Sequence, residues 1–315
     1  MARLGRIAFL GTGSFGVPLL SILPNSADEL LVMSQPDRPA GRGLQSRESP
    51  VSAWARSQGL QLATPLRLRS DEGRGVLHRF APDGILLAAY GQLVPADLLS
   101  VAPRPPLNVH PSLLPRHRGA APVASTILAG DRVAGVTLMV MTPELDAGPI
   151  VRQWEVPLAG RETTPELEGR LAVLAADVMP PELETWAKGE LVTRPQDRAA
   201  ATMIRPFHRL DGWIDWKRSA EVIDRQVRAL QPWPGAWTTL DGHPLQVFES
   251  KPLPARDPKG IAGKMGEVVA VEADGFTVVC ADGRFKVTRV QPADGKKVDA
   301  GEWASSAKLA TVFIF

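Results

Sequence analysis

Hydrophobic and polar positions follow two different rhythms along this chain. In the first half, apolar runs of strand length alternate with stretches of helical spacing. Residues 6–11 read as a short buried strand, 15–23 as a helix and 29–34 as a second strand. Residues 35–49 interrupt the pattern as a long polar loop, and 51–58 return to helical spacing. Short apolar runs at 84–89 and 106–110 predict further strands, and 133–141 is the longest β-like run. This order predicts an α/β fold: a doubly wound, mostly parallel, Rossmann-like sheet covered by helices. Residues 164–189 read as a helix, broken or offset at Pro180-Pro181.

The second half has a different texture. Residues 191–206 are rich in Arg, Pro and Thr, lack periodicity and read as a linker. Residues 219–230 form one amphipathic helix, with Val222, Ile223, Val227 and Leu230 at helical spacing. Short β-like runs follow at 236–240, 245–250, 266–271, 275–280 and 284–290. Asp241-Gly242, Asp274-Gly275 and Asp282-Gly283 separate several of them as hairpin turns. Short strands joined by such turns predict a small β-barrel. The expected division is a domain at 1–189, a linker at 190–207 and a β domain at 208–315. The apolar tail, 304–315, is expected as a closing strand.

Composition narrows the classes. A chain of 315 residues accommodates two domains. The net charge is +2, too small for a strong global field toward polyanions. The halves differ: residues 1–190 carry 18 basic against 19 acidic side chains, and 191–315 carry 18 against 15. No lysine precedes Lys188, so every basic contact in the first half would come from arginine. Cys280 is the only cysteine, which excludes an internal disulfide or a thiolate metal cage and fits a reducing compartment. The chain runs into its first strand without a signal-peptide core, and no apolar run approaches the ~20 residues that span a bilayer. A cytoplasmic protein with no membrane partner is expected.

Four features carry candidate chemistry. Asn108, His110 and Ser112 lie within five residues at a strand end, before Pro115 stops any regular element. Side chains alternate on a strand, so Asn108 and His110 share a face. Asp146, in Glu144-Leu145-Asp146-Ala147-Gly148, follows the 133–141 strand. An amide, an imidazole and a carboxylate together can polarise a carbonyl and move one proton. The competing reading is a histidine bonded to backbone and an aspartate capping a turn. Gly11-Thr12-Gly13-Ser14-Phe15-Gly16 matches G-x-G-x-x-G, a dinucleotide signature when an acid follows about 20 residues later. None of Asp28, Glu29 and Asp37 sits suitably, so a tight strand-to-helix turn is the stronger reading. The 35–49 loop spaces Arg38, Arg42 and Arg47 along a Pro- and Gly-rich path, suited either to nucleic acid or to solvent. Trp213, Trp216, Trp233 and Trp237 can stack bases or pack a domain junction. Metal ligation is not expected, since the five histidines are scattered.

Together these segments resemble the formyltetrahydrofolate-dependent formyltransferase family and, within it, the methionyl-tRNA formyltransferases. The resemblance is carried by 108–115 with 118–122, by Leu145-Asp146-Ala147-Gly148, by the 35–43 segment, and by Ile214-Asp215-Trp216, Pro232-Trp233-Pro234 and 292–297. It departs at Pro111, where Gly is common, and at Pro149, where some members carry an acid. The resemblance implies 10-formyltetrahydrofolate as formyl donor, methionyl-initiator tRNA as acceptor, no metal and no NAD. It implies that Asn108 and His110 stabilise the oxyanion, and that Asp146 orients or ionises His110 and helps remove the ammonium proton. Ser112, Leu113, Leu114 and Pro115 would line the folate site, with the backbone near Tyr90 and Val140 holding the pteridine. Arg38 and Arg42 would enter the acceptor-stem region, and an OB-like C-terminal barrel would hold tRNA backbone. A monomer is expected.

Overall fold

The computed structural model describes residues 3–40, 45–240, 242–253, 263–293 and 295–307. The chain forms two compact units. The first comprises Met1–Pro122, Val133–Pro157 and Glu166–Arg205; the second comprises Val123–Arg132, Leu158–Pro165 and Pro206–Phe315.

The first unit is built on a seven-stranded sheet. Its strands are β1 (Arg6–Gly11), β2 (Glu29–Met33), β3 (Gln61–Ala63), β4 (Gly84–Ala88), β5 (Leu107–His110), β6 (Val133–Val140) and β7 (Ile150–Pro157), in spatial order β7-β6-β5-β4-β1-β2-β3. β1 pairs in parallel with both β2 and β4, β2 with β3 and β4 with β5; β6 and β7 close one edge antiparallel. The connectivity therefore reverses direction at β1, which is the doubly wound arrangement that opens a crevice between β1 and β4. The central strands are apolar throughout: Ile7, Ala8, Phe9 and Leu10 are wholly buried. Strands buried on both faces lose the alternating pattern, so continuous runs such as 6–11 were legible as strands.

Helices α1 (Gly16–Ile22), α2 (Pro50–Ser57), α3 (Asp71–Phe80) and α4 (Pro122–Ala129) lie along the chain before the long α5 (Thr164–Lys188). Ser49 and Ser70 cap α2 and α3 by accepting from the backbone N–H of Ser52 and Gly73. The break expected at Pro180-Pro181 does not occur; α5 is continuous. Leu167, Leu171, Ala175, Met179, Leu183 and Trp186 bury one stripe on both sides of the prolines. Trp186 is anchored further by its indole N–H donating to the Pro105 carbonyl at 2.9 Å. Burial of that continuous stripe offsets the local cost of two missing N–H groups. β3, α3, α4 and β7 are elements that sequence pattern left unassigned.

Residues 190–205, expected as linker, are part of the first unit. Arg194 exchanges two backbone hydrogen bonds with Ile150, and Met203–Ile204 pairs in parallel with Arg118–Gly119. The 35–49 stretch, expected as an irregular loop, contains a short antiparallel pair, Arg38–Ala40 with Gln45–Arg47. Pro39 is compatible with it because a two-stranded pair leaves alternate N–H groups outside the ladder.

The second unit contains α6 (Ala220–Ala229) and an antiparallel sheet of β8 (Ala236–Leu240), β9 (His243–Leu253), β10 (Val268–Glu272), β11 (Gly275–Cys280) and β12 (Gly283–Pro292), ordered β8-β9-β12-β11-β10. α7 (Ala300–Ser306) follows, so 304–306 are helical rather than strand; 308–315 lie outside the described residues. Ile223 and Val227 of α6 share one core with Phe276, Val278, Phe285 and Val287. Gly275 (φ +152°) marks the turn between β10 and β11; a Cβ there would stand 2.2 Å from the Val287 carbonyl oxygen. Residues 123–132 and 158–165 belong to this unit as well. Thr164 Oγ1 donates to the last-turn carbonyl of Ala229, and Arg228 donates to the Glu162 carbonyl.

Candidate active site

Asn108 and His110 are the second and fourth residues of β5 and project to the same face. They are 7% and 5% exposed. The connection 141–149 doubles back from β6 and brings Asp146, also buried, against them. Asp146 Oδ1 accepts a hydrogen bond from Asn108 Nδ2 at 3.4 Å and lies 3.8 Å from His110 Nδ1. Its other oxygen, Oδ2, accepts from the Gly119 backbone N–H at 2.8 Å. The three side chains singled out by sequence therefore meet in one volume, although 38 residues separate Asn108 from Asp146.

The histidine's orientation is fixed from behind. His110 Nε2 lies 3.0 Å from the His117 carbonyl oxygen. A carbonyl only accepts, so Nε2 carries a proton and Nδ1 faces the carboxylate. His117 in turn is held by donation from its N–H to Thr202 Oγ1 at 2.8 Å.

Asp146 adopts a left-handed backbone conformation (φ +50°), as does His117 (φ +60°). Such conformations are sparsely populated for residues with a Cβ and concentrate where a side chain must be aimed. Gln196 holds Asp146 in place: its Nε2 donates to the carbonyls of Asp146 (2.9 Å) and Gly148 (2.7 Å). Gln196 Oε1 accepts a forked pair from Arg118 Nε and Nη2 at 3.1 and 2.8 Å. Gly148 is required by close approach, since a Cβ there would fall 1.8 Å from the Val140 carbonyl oxygen. Sequence reasoning missed Gln196: it lies in a stretch without periodicity or motif, and only folding brings it to the site. Arg118 was visible in the 118–122 segment, but nothing local indicated its partner.

Residues 112–115 form a rigid loop next to the trio. Ser112 Oγ donates to the Arg116 carbonyl. Thr137 Oγ1 donates to the Ser112 carbonyl and accepts from the Leu114 N–H, and Gln153 Nε2 donates to the Leu114 carbonyl. Leu114 packs with Met139 and Ile150, and Leu113 lies over Gly135, where a Cβ would stand 2.4 Å from its Cδ2. The Pro115 carbonyl accepts from the Thr202 N–H. Side chains of this segment thus turn into the unit and fix the loop's course.

Tyr90 is wholly buried among Leu10, Leu31 and Leu98, and its hydroxyl has no hydrogen-bond partner among the described residues. Burial pushes its phenol up to about 12. Its carbonyl accepts from Thr12 Oγ1 and Gln35 Nε2 at 2.8 and 2.7 Å. Val140 ends β6, its N–H donating to the Pro149 carbonyl. The structure does not bring the Tyr90 side chain to the trio.

The 11–16 turn has a different character. The Thr12 and Gly13 N–H groups both donate to the Ala89 carbonyl, at 3.1 and 3.2 Å. A Cβ at Gly11 would fall 2.5 Å from the Phe9 ring, and one at Gly16 would be 3.1 Å from the Ala88 carbonyl oxygen. Its glycines serve close packing against β4, and these two amides are engaged inside the protein. Arg38 pairs through its backbone with Arg47, and Arg42 lies outside the described residues. Among the described residues no helix is long and apolar enough to cross a membrane.

Residues 5–183 match the formyl transferase family and residues 208–308 match the formyl transferase C-terminal domain. A methionyl-tRNA formyltransferase of Anaeromyxobacter dehalogenans is 42% identical over 288 residues, covering 91% of this chain and 92% of that protein. A methionyl-tRNA formyltransferase of Thermus thermophilus is 37% identical over 305 residues, covering 97% of each. Among solved structures, an N-formyltransferase from Helicobacter canadensis, crystallised with folinic acid and dTDP-3-aminofucose, superposes with a TM-score of 0.66. It is 16% identical, with 91% of this chain and 99% of that one covered. HypX from Aquifex aeolicus with tetrahydrofolic acid gives a TM-score of 0.61 at 19% identity, covering 96% of this chain and 47% of that one. These two share the fold. Both halves match one enzyme group and the similarity to relatives extends along nearly their full length: the chain belongs to the formyl transferase family.

Proposed function

We propose that this chain transfers the formyl group of 10-formyltetrahydrofolate to the α-amino group of methionyl-initiator tRNA. The observation that carries the chemistry is the convergence of Asn108, His110 and Asp146 on one buried point. The acceptor is indicated by the shared name of relatives up to 42% identical over most of the chain.

The trio suits formyl transfer for stated reasons. When the amine nitrogen attacks the formyl carbon, negative charge grows on the formyl oxygen. Asn108 Nδ2 holds Asp146 only at 3.4 Å, so its amide retains a donor for that oxygen. His110, whose Nε2–H is held by the His117 carbonyl, faces Asp146 Oδ1 with Nδ1 and donates from that nitrogen only as the imidazolium. Asp146 keeps acceptor capacity toward the amine nitrogen, which sheds a proton once the new C–N bond has formed, and folate N10 takes up a proton as its bond to the formyl carbon breaks. Residues 112–115 supply the folate-site wall, with Ser112 and Leu114 setting its course, Leu113 and Pro115 forming its edge, and the backbone at Tyr90 and Val140 meeting the pteridine. The hydrogen-bonding groups found here are what a neutral amide-like donor substrate needs, and no step calls for a metal or a nicotinamide.

The 35–49 segment, with Arg38 and Arg42, would engage the acceptor stem. Register shifts in β9 between Val247 and Ser250 bend that strand, which supports reading the second unit as an OB-like barrel that carries tRNA backbone. One chain supplies the whole trio and its supports, which fits a monomer, and a translation role fits the cytoplasm. The test is an acceptor competition: donor folate with charged initiator tRNA, uncharged tRNA, free methionine or a dTDP-amino sugar. Formylation confined to the charged tRNA is expected. Folate turnover with an amino sugar or water as acceptor would assign the same site to another branch of the family.

A further inference from the structure

We propose that an aromatic groove on the second unit's sheet receives an unpaired nucleobase of the tRNA. This rests on the functional reading above and adds a site to it.

The groove has a volume of about 270 Å³, and Arg209, Trp233, Trp237, Gln246 and Gln291 are among the residues lining it. That is below the ~300–1,000 Å³ of drug-sized pockets and suits one planar ring system. Strand register builds its floor. Trp237 of β8 stands opposite Gln246 of β9, and Gln246 opposite Gln291 of β12, so three strands present one row to the same face. The Trp237 ring is held rigid: its Nε1 donates to the Arg209 carbonyl at 3.0 Å, and Trp213 meets it edge-on at 4.7 Å. The Arg209 guanidinium lies 5.7 Å from the Trp237 ring centre. It has no carboxylate partner among the described residues.

The four tryptophans of 213–237 now separate by role. Trp216 is core, 5% exposed, with its indole N–H on Thr238 Oγ1. Trp233 is 62% exposed, an unusual cost for an indole unless something covers it. The Gln246 amide has no hydrogen-bond partner among the described residues, and Gly235 makes room for it: a Cβ there would fall 1.9 Å from its Nε2. Gln291 donates to the Gly295 carbonyl through Nε2, leaving Oε1 to accept. An open aromatic face, a cation and amides with unused donors and acceptors are what a flipped-out base requires: a stacking partner and edge contacts. The lining holds one arginine and no acid, in a half of the chain with net charge +3, which favours RNA over a proline-rich peptide.

The experiment measures binding of charged initiator tRNA and of a fully paired RNA duplex to wild type, Trp233→Ala, Trp233→Phe and Arg209→Ala across a salt series. Trp233→Ala should weaken tRNA binding by about 5- to 150-fold, the range of one lost base stack. Its salt slope should stay unchanged, because stacking releases no counterions. Trp233→Phe should recover most of the affinity, and duplex binding should not respond to either change. Arg209→Ala should lower the salt slope by about one. Unchanged tRNA binding in Trp233→Ala, equal losses for tRNA and duplex, or displacement of tRNA by a proline-rich peptide would overturn the proposal. Since the readout is binding, a wild type that binds tRNA through Trp233 but does not formylate it would retire the functional reading alone. Formylation with no response to Trp233→Ala would retire the groove alone.

Discussion

Two segments of the first unit stand out in sequence and differ in what they leave unsatisfied. The glycine-rich turn after β1 and the polar cluster on β5 both concentrate unusual residues beside the middle of one sheet. In the first, the Thr12 and Gly13 amides close on the Ala89 carbonyl, and Thr12 Oγ1 and Gln35 both serve the Tyr90 carbonyl. In the second, Asn108 and His110 approach Asp146 at 3.4 and 3.8 Å, longer than a good charge-assisted bond. The short, well-formed bonds there belong to the supports: Gly119 N–H to Asp146, Gln196 to two carbonyls, and His110 Nε2–H to the His117 carbonyl. A turn whose Thr12, Gly13 and Gly16 amides all donate to backbone carbonyls is architecture. A cluster whose backbone is strained and braced, while its side chains keep hydrogen-bonding capacity, is arranged for a substrate.

The largest effect should come from the trio. Asn108→Ala should lower kcat by ~10²–10³-fold, the usual consequence of losing one oxyanion donor, with the fold intact by circular dichroism. Full activity would place Asn108 with the glycine turn, as a structural residue. Gln196→Ala should reduce kcat by about 10- to 100-fold by releasing the Asp146 backbone, with the KM for folate and tRNA nearly unchanged. A matched rise in both KM values with constant kcat would make Gln196 part of a binding surface instead. Gly11→Ala should do the reverse. Its Cβ must displace the buried Phe9 ring, which should cost ~1–3 kcal/mol of unfolding free energy while leaving kcat per folded molecule unchanged.

The smallest effect concerns Tyr90. It is the only tyrosine, so its phenolate absorbance can be followed alone. With its folded value pushed up to about 12 from an ordinary 10.0, the neutral form is favoured in the folded state. The stability this contributes is complete below pH 10 and is lost as pH rises from 10 through about 12. Tyr90→Phe should flatten that decline and be nearly neutral at pH 7, because the hydroxyl has no partner to lose among the described residues. A destabilisation of several kcal/mol at neutral pH would contradict this.

Sequence revealed the sheet's central strands because burial on both faces makes continuous apolar runs. It also revealed that Asn108 and His110 share a face, which alternation alone dictates. It could not place Asp146 beside them, since that depends on the return of a loop after an antiparallel strand. Nor could it find Gln196. The 190–205 segment looks like a linker because its contacts are made by backbone bridges and by polar side chains such as Gln196 and Thr202, which leave no hydrophobic period. The continuous helix through Pro180-Pro181 was hidden for the opposite reason: a local rule suggested a break, and tertiary burial of Met179, Leu183 and Trp186 prevailed.

The most direct test of the central assignment is single-turnover formylation of methionyl-initiator tRNA by wild type and Asp146→Asn, with folate and tRNA binding measured in parallel. Asparagine keeps the shape and removes the charge and the proton acceptor. The expected result is a rate lower by ~10²–10⁴-fold with both binding constants within a few-fold of wild type. A wild-type rate, or a loss explained entirely by weaker binding, would show that Asp146 caps a turn and that the chemistry lies elsewhere.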